Sequence, residues 1–244
     1  MKKLILFASA LCMSVCAMAQ SEFYVYKKDG SSVQFTIADV DSISFTAPAT
    51  GTENGHEWVD LGLSVKWATC NVGATKPEEY GNYFAWGETE TKTTYNWSTY
   101  KWCNGSAETQ TKYCTNSDYG TVDNKTVLDL EDDAARANWG GAWRMPTDAE
   151  WTELRENCTW TWTIKNGVNG YEVKSEANGN SIFLPAAGYR VDDVLGSAGS
   201  YGNYWSSSLS TGYPDYACGV YFGSVFVDRY GSSRFYGRSV RPVL

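Results

Sequence analysis

An α+β fold with two main helices, short irregular strands and long loops is the class this sequence predicts, preceded by a small β-hairpin unit. Three observations predict it. Helical signals are confined to two stretches, at 127–138 and 146–157. The rest of the chain is punctuated by 23 Gly and rich in Tyr, Val, Phe and Thr, the composition of strands and turns. Aromatics reach 15%, with 11 Trp and 17 Tyr, a load that excludes disorder and calls for a sizeable core. The 244 residues suffice for one domain with an appendage. Lys+Arg number 20 against 28 Asp+Glu, with no basic stripe, so nucleic acid is excluded as a partner.

Taken in order, the chain opens with Met1-Lys2-Lys3, an apolar run from Leu4 to Val15, and Ala17-Met18-Ala19 before Gln20. This is the pattern of a cleaved export signal over 1–19. A span would need roughly 18 or more apolar residues, so no transmembrane segment is expected. The protein is therefore expected to be exported, to the outer cell surface or the extracellular space, with the periplasm as the alternative. Cys12 and Cys16 follow Leu11 and Val15 rather than a small residue, which makes lipidation the weaker reading. Five cysteines remain after cleavage: Cys70, Cys103, Cys114, Cys158 and Cys218. The odd number leaves at least one thiol free, and no C-x-x-C is present. A local Cys103–Cys114 disulfide and five reduced thiols both remain open.

Residues 20–46 read as a β-ribbon. Phe23 to Tyr26 alternates, Asp29-Gly30 marks a turn, Val33 to Ile37 returns, and Asp41 to Phe45 supplies a third short strand. The segment resembles an opening module of exported proteins of Bacteroides-type bacteria. Residues 47–55, with their Pro, Gly and Thr, read as a linker, and 56–244 as the main domain. Within it, Asp129, Glu131, Asp132 and Asp133 precede Ala134-Ala135-Arg136-Ala137, acidic residues suited to a helix start. The second helix is signalled by Thr147 with Glu150 three residues on, a capping box opening a helix to about Asn157.

The usual catalytic constellations are missing. The only histidine, His56, falls at the linker edge and is read as an exposed residue. No phosphate-cradling glycine motif occurs, so no cofactor is expected. The acidic clusters at 129–133 and at Asp192-Asp193 lack EF-hand spacing and read as helix-start and turn carboxylates, so no metal site is assigned. An enzyme is not expected.

Three stretches are specific in combination: Trp58 to Ala68 (WVDLGLSVKWA), Asn82 to Glu88 (NYFAWGE) and Asn138 to Trp151 (NWGGAWRMPTDAEW). With Tyr204-Trp205-Ser206-Ser207-Ser208 and Gly237 to Val243 (GRSVRPV), they resemble the Fibrobacter-type major paralogous domain over about 57–244. That resemblance implies a C-type lectin-like fold of the formylglycine-generating branch. Two properties of relatives lack their residues here. The oxidase chemistry uses C-terminal cysteines, of which only Cys218 is present, and the calcium-dependent sugar motifs Glu-Pro-Asn, Gln-Pro-Asp and Trp-Asn-Asp do not occur. The implied role is a display scaffold.

The 39 residues after Trp205 contain no Lys, Glu, Gln, Met or Trp. In proportion to the whole chain, about seven such residues would be expected there. These are the five residue types that no pyrimidine-ended codon encodes, the bias left when a diversity-generating retroelement randomises adenines. The tail resembles the variable region of such a protein. Ala217, Val220, Phe222, Ser224, Arg234, Gly237 and Ser239 read as skeleton. The candidate binding residues are Tyr213, Asp215, Tyr216, Cys218, Tyr221, Phe226, Asp228, Arg229, Tyr230, Ser232, Ser233, Phe235, Tyr236 and Arg238, within a face at about 206–239. Tyr, Ser, Asp and Arg are the palette of adaptable paratopes, and the expected partner is a macromolecular ligand, protein or glycan. Two other readings stay open: an enzyme of formylglycine-generating or hydrolase type on the same fold, and a structural envelope or adhesin subunit with no variable site.

Overall fold

The computed structural model describes residues 22–39 and 49–244. The export signal at 1–19 and the expected strand at 41–45 lie outside the described residues. The chain divides into two compact units, Met1–Ala47 and Pro48–Leu244. In the first, β1 (Glu22–Tyr26) pairs antiparallel with β2 (Ser32–Thr36), Tyr24 opposite Gln34. The Asp29-Gly30 signal acts as read. Gly30 takes φ +85°, and the Asp29 carboxylate accepts hydrogen bonds from the Ser31 amide and hydroxyl.

In the second unit strands dominate, which corrects the predicted class. Instead of a two-main-helix α+β fold of C-type lectin type, the described residues form five small antiparallel sheets, one of them β1–β2, with two α-helices of six and nine residues. β3 (Thr50–Glu53), β4 (His56–Val59) and β5 (Trp67–Ala68) make one sheet. β6 (Cys158–Lys165), β7 (Val168–Ser175) and β8 (Ser181–Pro185) make another, and β9 (Tyr189–Val191) pairs with β10 (Val194–Gly196). β11 (Gly202–Leu209), β12 (Tyr216–Gly223) and β13 (Phe226–Ser233) make the last. Several strands run eight residues and are regular, unlike the irregular pieces expected.

Two local signals explain the shift towards sheet. Asn54-Gly55, inside the expected linker, has both residues at positive φ, 47° and 81°, the geometry of a tight hairpin turn. It joins β3 to β4, so residues 50–53 belong to the body. Asn166-Gly167, at 49° and 85°, does the same between β6 and β7. The first helical stretch is cut short. Leu130–Asp132 forms a 3-10 turn, and Asp133 then caps α1 (Ala134–Trp139) by accepting from the Arg136 amide. The capping box of α2 (Asp148–Glu156) is present, Thr147 and Glu150 each receiving the other's backbone N–H. No helix among the described residues is long and apolar enough to cross a membrane.

The core is aromatic. Seven tryptophans are buried, with Trp67, Trp86, Trp143 and Trp205 fully so. Indole N–H groups reach carbonyls between elements: Trp86 to Ser206 at 2.8 Å, Trp143 to Glu53 at 2.8 Å and Trp205 to Phe84 at 2.9 Å. Each ring thus supplies area and closes a backbone acceptor. α2 packs Trp151 and Leu154 against Tyr204, Val220 and Phe222 of the β11–β13 sheet.

The final segment ties the sheets together. From Gly237 to Leu244 it exchanges backbone hydrogen bonds with Arg190, Phe84, Trp205, Val72, Ala68, Arg144 and Lys66. Arg241, completely buried, donates to Asn71 Oδ1 and to the carbonyls of Ala68, Thr69 and Phe183. Arg234, equally buried, donates to the Tyr100 hydroxyl and to the carbonyls of Tyr113, Pro214 and Lys112. A Cβ on Gly237 would lie 2.6 Å from the buried Tyr95 ring. Arg241→Met strands four acceptors and is expected to lower stability by about 3 kcal/mol or more in urea melts. Gly237→Ala is expected to cost about 1–3 kcal/mol by overpacking. Changes within about 0.5 kcal/mol, the size of an ordinary surface effect, would contradict both assignments.

Candidate functional site

Pleating gives the β11–β13 sheet two distinct faces. Val220 and Phe222 point to α2 and the core. Arg229 lies opposite Val220 in register and reaches Asp148 of α2, Nε to Oδ1 at 2.6 Å. Tyr221 stands on the other face, with Asn203 and Asp228 as its cross-strand neighbours. There the sheet forms the back of a recess of about 340 Å³. Tyr216, Tyr221, Tyr230, Ser232 and Ser233 come from β12 and β13, Tyr189 from β9, Asn203 from β11, and Tyr236 and Arg238 from the segment that follows. Tyr230 is 52% exposed and Tyr216 37%, whereas Arg238 and Asn203 are 4% and 3% exposed. The phenols form the accessible wall, and the guanidinium and amide lie deep.

Arg238 packs its guanidinium on the Trp205 ring, 4.5 Å from the centroid. Burial pulls its pKa down to about 10, while the field of Tyr230, Tyr236, Tyr189 and Tyr221 works in the opposite direction. It stays protonated at neutral pH. Burial likewise raises the Tyr221 and Tyr236 phenols, so the wall is uncharged there.

Seven of the fourteen candidate residues line the recess: Tyr216, Tyr221, Tyr230, Ser232, Ser233, Tyr236 and Arg238. The other seven do not. Tyr213 is 61% exposed on the β11–β12 loop beside Tyr216, and Asp228 is exposed on β13. Phe226 packs on Tyr201 and Tyr221. Phe235 packs on Trp97 and Tyr236. Asp215 is buried, and burial raises its carboxyl. Cys218 and Arg229 belong to the α2 side, where Arg229 donates to both the Asp148 carboxylate and the Cys218 sulfur. Both side chains turn towards α2 and away from the recess, a placement set by the packing of that helix and not by residue type. Tyr189 and Asn203 were missed because they precede the tail, and no signal in their segments distinguishes them.

The remaining chemistry-bearing groups have structural partners. Asp129, Glu131 and Asp132 lie close enough together to hold a cation, but the Lys112 ammonium sits among them, 2.8, 3.3 and 2.6 Å from their carboxylates. Hydrogen bonds from Lys112 and Lys125 draw Asp129 down to about 2. His56 is not an exposed linker residue. It lies on β4, stacked on Trp139 with centroids 3.8 Å apart, and burial lowers its pKa. All five described cysteines are free. Cys103 donates to the Trp97 carbonyl and Cys114 to that of Asn116, so no disulfide joins them.

No protein-family model matches the sequence, and no curated protein or solved structure matches it either.

The buried thiols are poor nucleophiles. Burial pushes Cys158 up to about 11 and raises Cys218, which points at the Leu209 carbonyl. Iodoacetamide at pH 8 is expected to leave Cys158 and Cys218 unmodified in the native protein and to alkylate both in urea, read by peptide mass spectrometry. Rapid native alkylation of Cys218 would restore it as a nucleophile candidate.

Proposed function

We propose that this is an exported, surface-displayed binding protein that performs no chemistry and presents the recess on the β11–β13 sheet to a macromolecular ligand. One observation carries the reading: the stretch that lacks Lys, Glu, Gln, Met and Trp supplies eight of the ten residues around a concave, tyrosine-walled site. Rigid amphipathic rings beside small hydroxyl donors give contact area at low entropic cost. The skeleton positions support the same division. Ala217, Val220, Phe222, Arg234 and Ser239 are buried and Gly237 lies against Tyr95, while Ser224, on the turn between β12 and β13, is exposed. Substitution at the wall would leave that frame intact.

The same division favours diversification of the tail by a retroelement, as in the variable proteins it resembles. Tyr, Phe, Asp and Cys have only pyrimidine-ended codons, so the decisive positions are Arg229, Ser232, Ser233 and Arg238. All four are expected to end in T or C, with a near-identical template repeat and a reverse transcriptase gene nearby. Purine-ended codons at two or more of them would sink diversification while leaving the binding face standing.

For the face itself, the Tyr216→Ala/Tyr230→Ala double variant is expected to lose array binding, at least about tenfold for two anchor rings, on a mixed glycan and peptide array. Its urea midpoint should not change. Undiminished binding by the folded variant would place the contact surface elsewhere. N-terminal sequencing of the secreted protein is expected to begin at Gln20, and a start at Met1 would contradict the export reading.

A further inference from the structure

Three arginines of the terminal segment are buried, and only two are satisfied. Arg234 and Arg241 each make four hydrogen bonds. Among the described residues, the Arg238 guanidinium makes none. Its Nε and Nη1 are fully buried without a partner, and no carboxylate lies within ion-pair distance. The Trp205 ring, 4.5 Å from the guanidinium, offsets about 2 kcal/mol. Removing a guanidinium from water costs several kcal/mol, so the balance remains unfavourable in the free protein. A second donor is stranded beside it: Asn203 Nδ2 is buried and unpartnered, and Asn203 lines the same recess. Donors lacking acceptors, gathered at one cavity, define what is missing there, namely an anionic oxygen group.

We propose that the recess binds an acidic sugar residue, its carboxylate taken by the Arg238 guanidinium and the Asn203 amide and its ring held between the wall tyrosines. The assignment rests on the binding-face reading and names its ligand class. A planar carboxylate suits the guanidinium fork. The volume of about 340 Å³ is near the lower end for small-molecule sites and fits one pyranose unit rather than a protein loop. Phenol rings complement the apolar face of a pyranose, and Ser232 and Ser233 can pair with its hydroxyl rim. An acidic peptide would also bring backbone N–H and C=O groups, for which the phenol-rich wall is a poorer match. The chain's net charge of −8 opposes long-range attraction, but that repulsion is screened beyond about 8–10 Å, and the local charge at the recess floor is positive.

The test is calorimetric titration of the secreted protein with glucuronate, N-acetylneuraminate, glucose, sulfate and an N-acetyl-aspartyl peptide. Glucuronate or N-acetylneuraminate is expected to bind at least about tenfold more tightly than glucose, the worth of one charge-assisted pair. Arg238→Met is expected to abolish that preference, and Asn203→Ala to weaken it. Because Arg238→Met removes an unpaired buried charge, its urea midpoint is expected to stay level or rise, in contrast to Arg241→Met. Equal affinity for glucose and glucuronate, retained acid binding in Arg238→Met, or binding of sulfate or the peptide alone overturns the proposal. So does the absence of acidic-sugar binding at about 10 mM, beyond the weakest useful affinity. So does a loss of stability in Arg238→Met matching that of Arg241→Met. A ligand lost in Tyr216→Ala/Tyr230→Ala but kept in Arg238→Met overturns the acidic sugar alone and leaves the binding face in place.

Discussion

The fold of the unit from Pro48 onward depends on a charged side chain buried where four small sheets could not otherwise cohere. A two-stranded sheet is marginal at best, and three strands need an apolar face to bury. The unit from Pro48 onward joins its sheets through the last eight residues, whose amides and carbonyls pair with strands and loops far apart in sequence. Arg241 sits at the centre of that segment and supplies donors to Asn71 and three carbonyls. With every donor group engaged, the cost of burying the charge is offset by acceptors that would otherwise lie unpaired.

Tryptophan is the second half of the same solution. An indole fills the gap between two twisted sheets and still closes a carbonyl at its edge, as Trp86 does with Ser206 and Trp205 with Phe84. Aliphatic side chains could fill the volume but would not supply those indole donors. The tryptophans stop at Trp205, and the aromatics beyond it are Tyr and Phe. Frame and face are therefore built from different rings: indoles pointing into the core, and phenols whose hydroxyls can meet solvent or a ligand.

The contrast among Arg234, Arg238 and Arg241 joins fold to function. Identical side chains only a few residues apart have opposite standing, because strand direction and neighbouring carbonyls decide which of them is paired. The structural pair lies among backbone acceptors, whereas Arg238 lies between an indole ring and a tyrosine-lined cavity that offers it no acceptor. The proposed site calls for an unsatisfied group held rigidly, and the surrounding frame holds Arg238 in place.

Local and compositional features were legible in the sequence: the Asp29-Gly30 turn, the Thr147/Glu150 capping box, the aromatic load and the separate character of the tail. Each depends on contacts within a few residues or on residue counts alone. The fold class was misread because Asn54-Gly55 and Asn166-Gly167 were passed over as hairpin turns, and because Asp133 ends the 3-10 turn and starts a short helix where one long helix was expected. Half of the candidate residues line the recess. The rest depends on tertiary packing, which draws Arg229 to Asp148 of α2, buries Cys218 and brings Tyr189 and Asn203 into the recess. Residue type and spacing determined which side chains were available for recognition. Only the tertiary structure decided which stand together and which donor is left without a partner, because pairing and burial are set by residues distant in the chain.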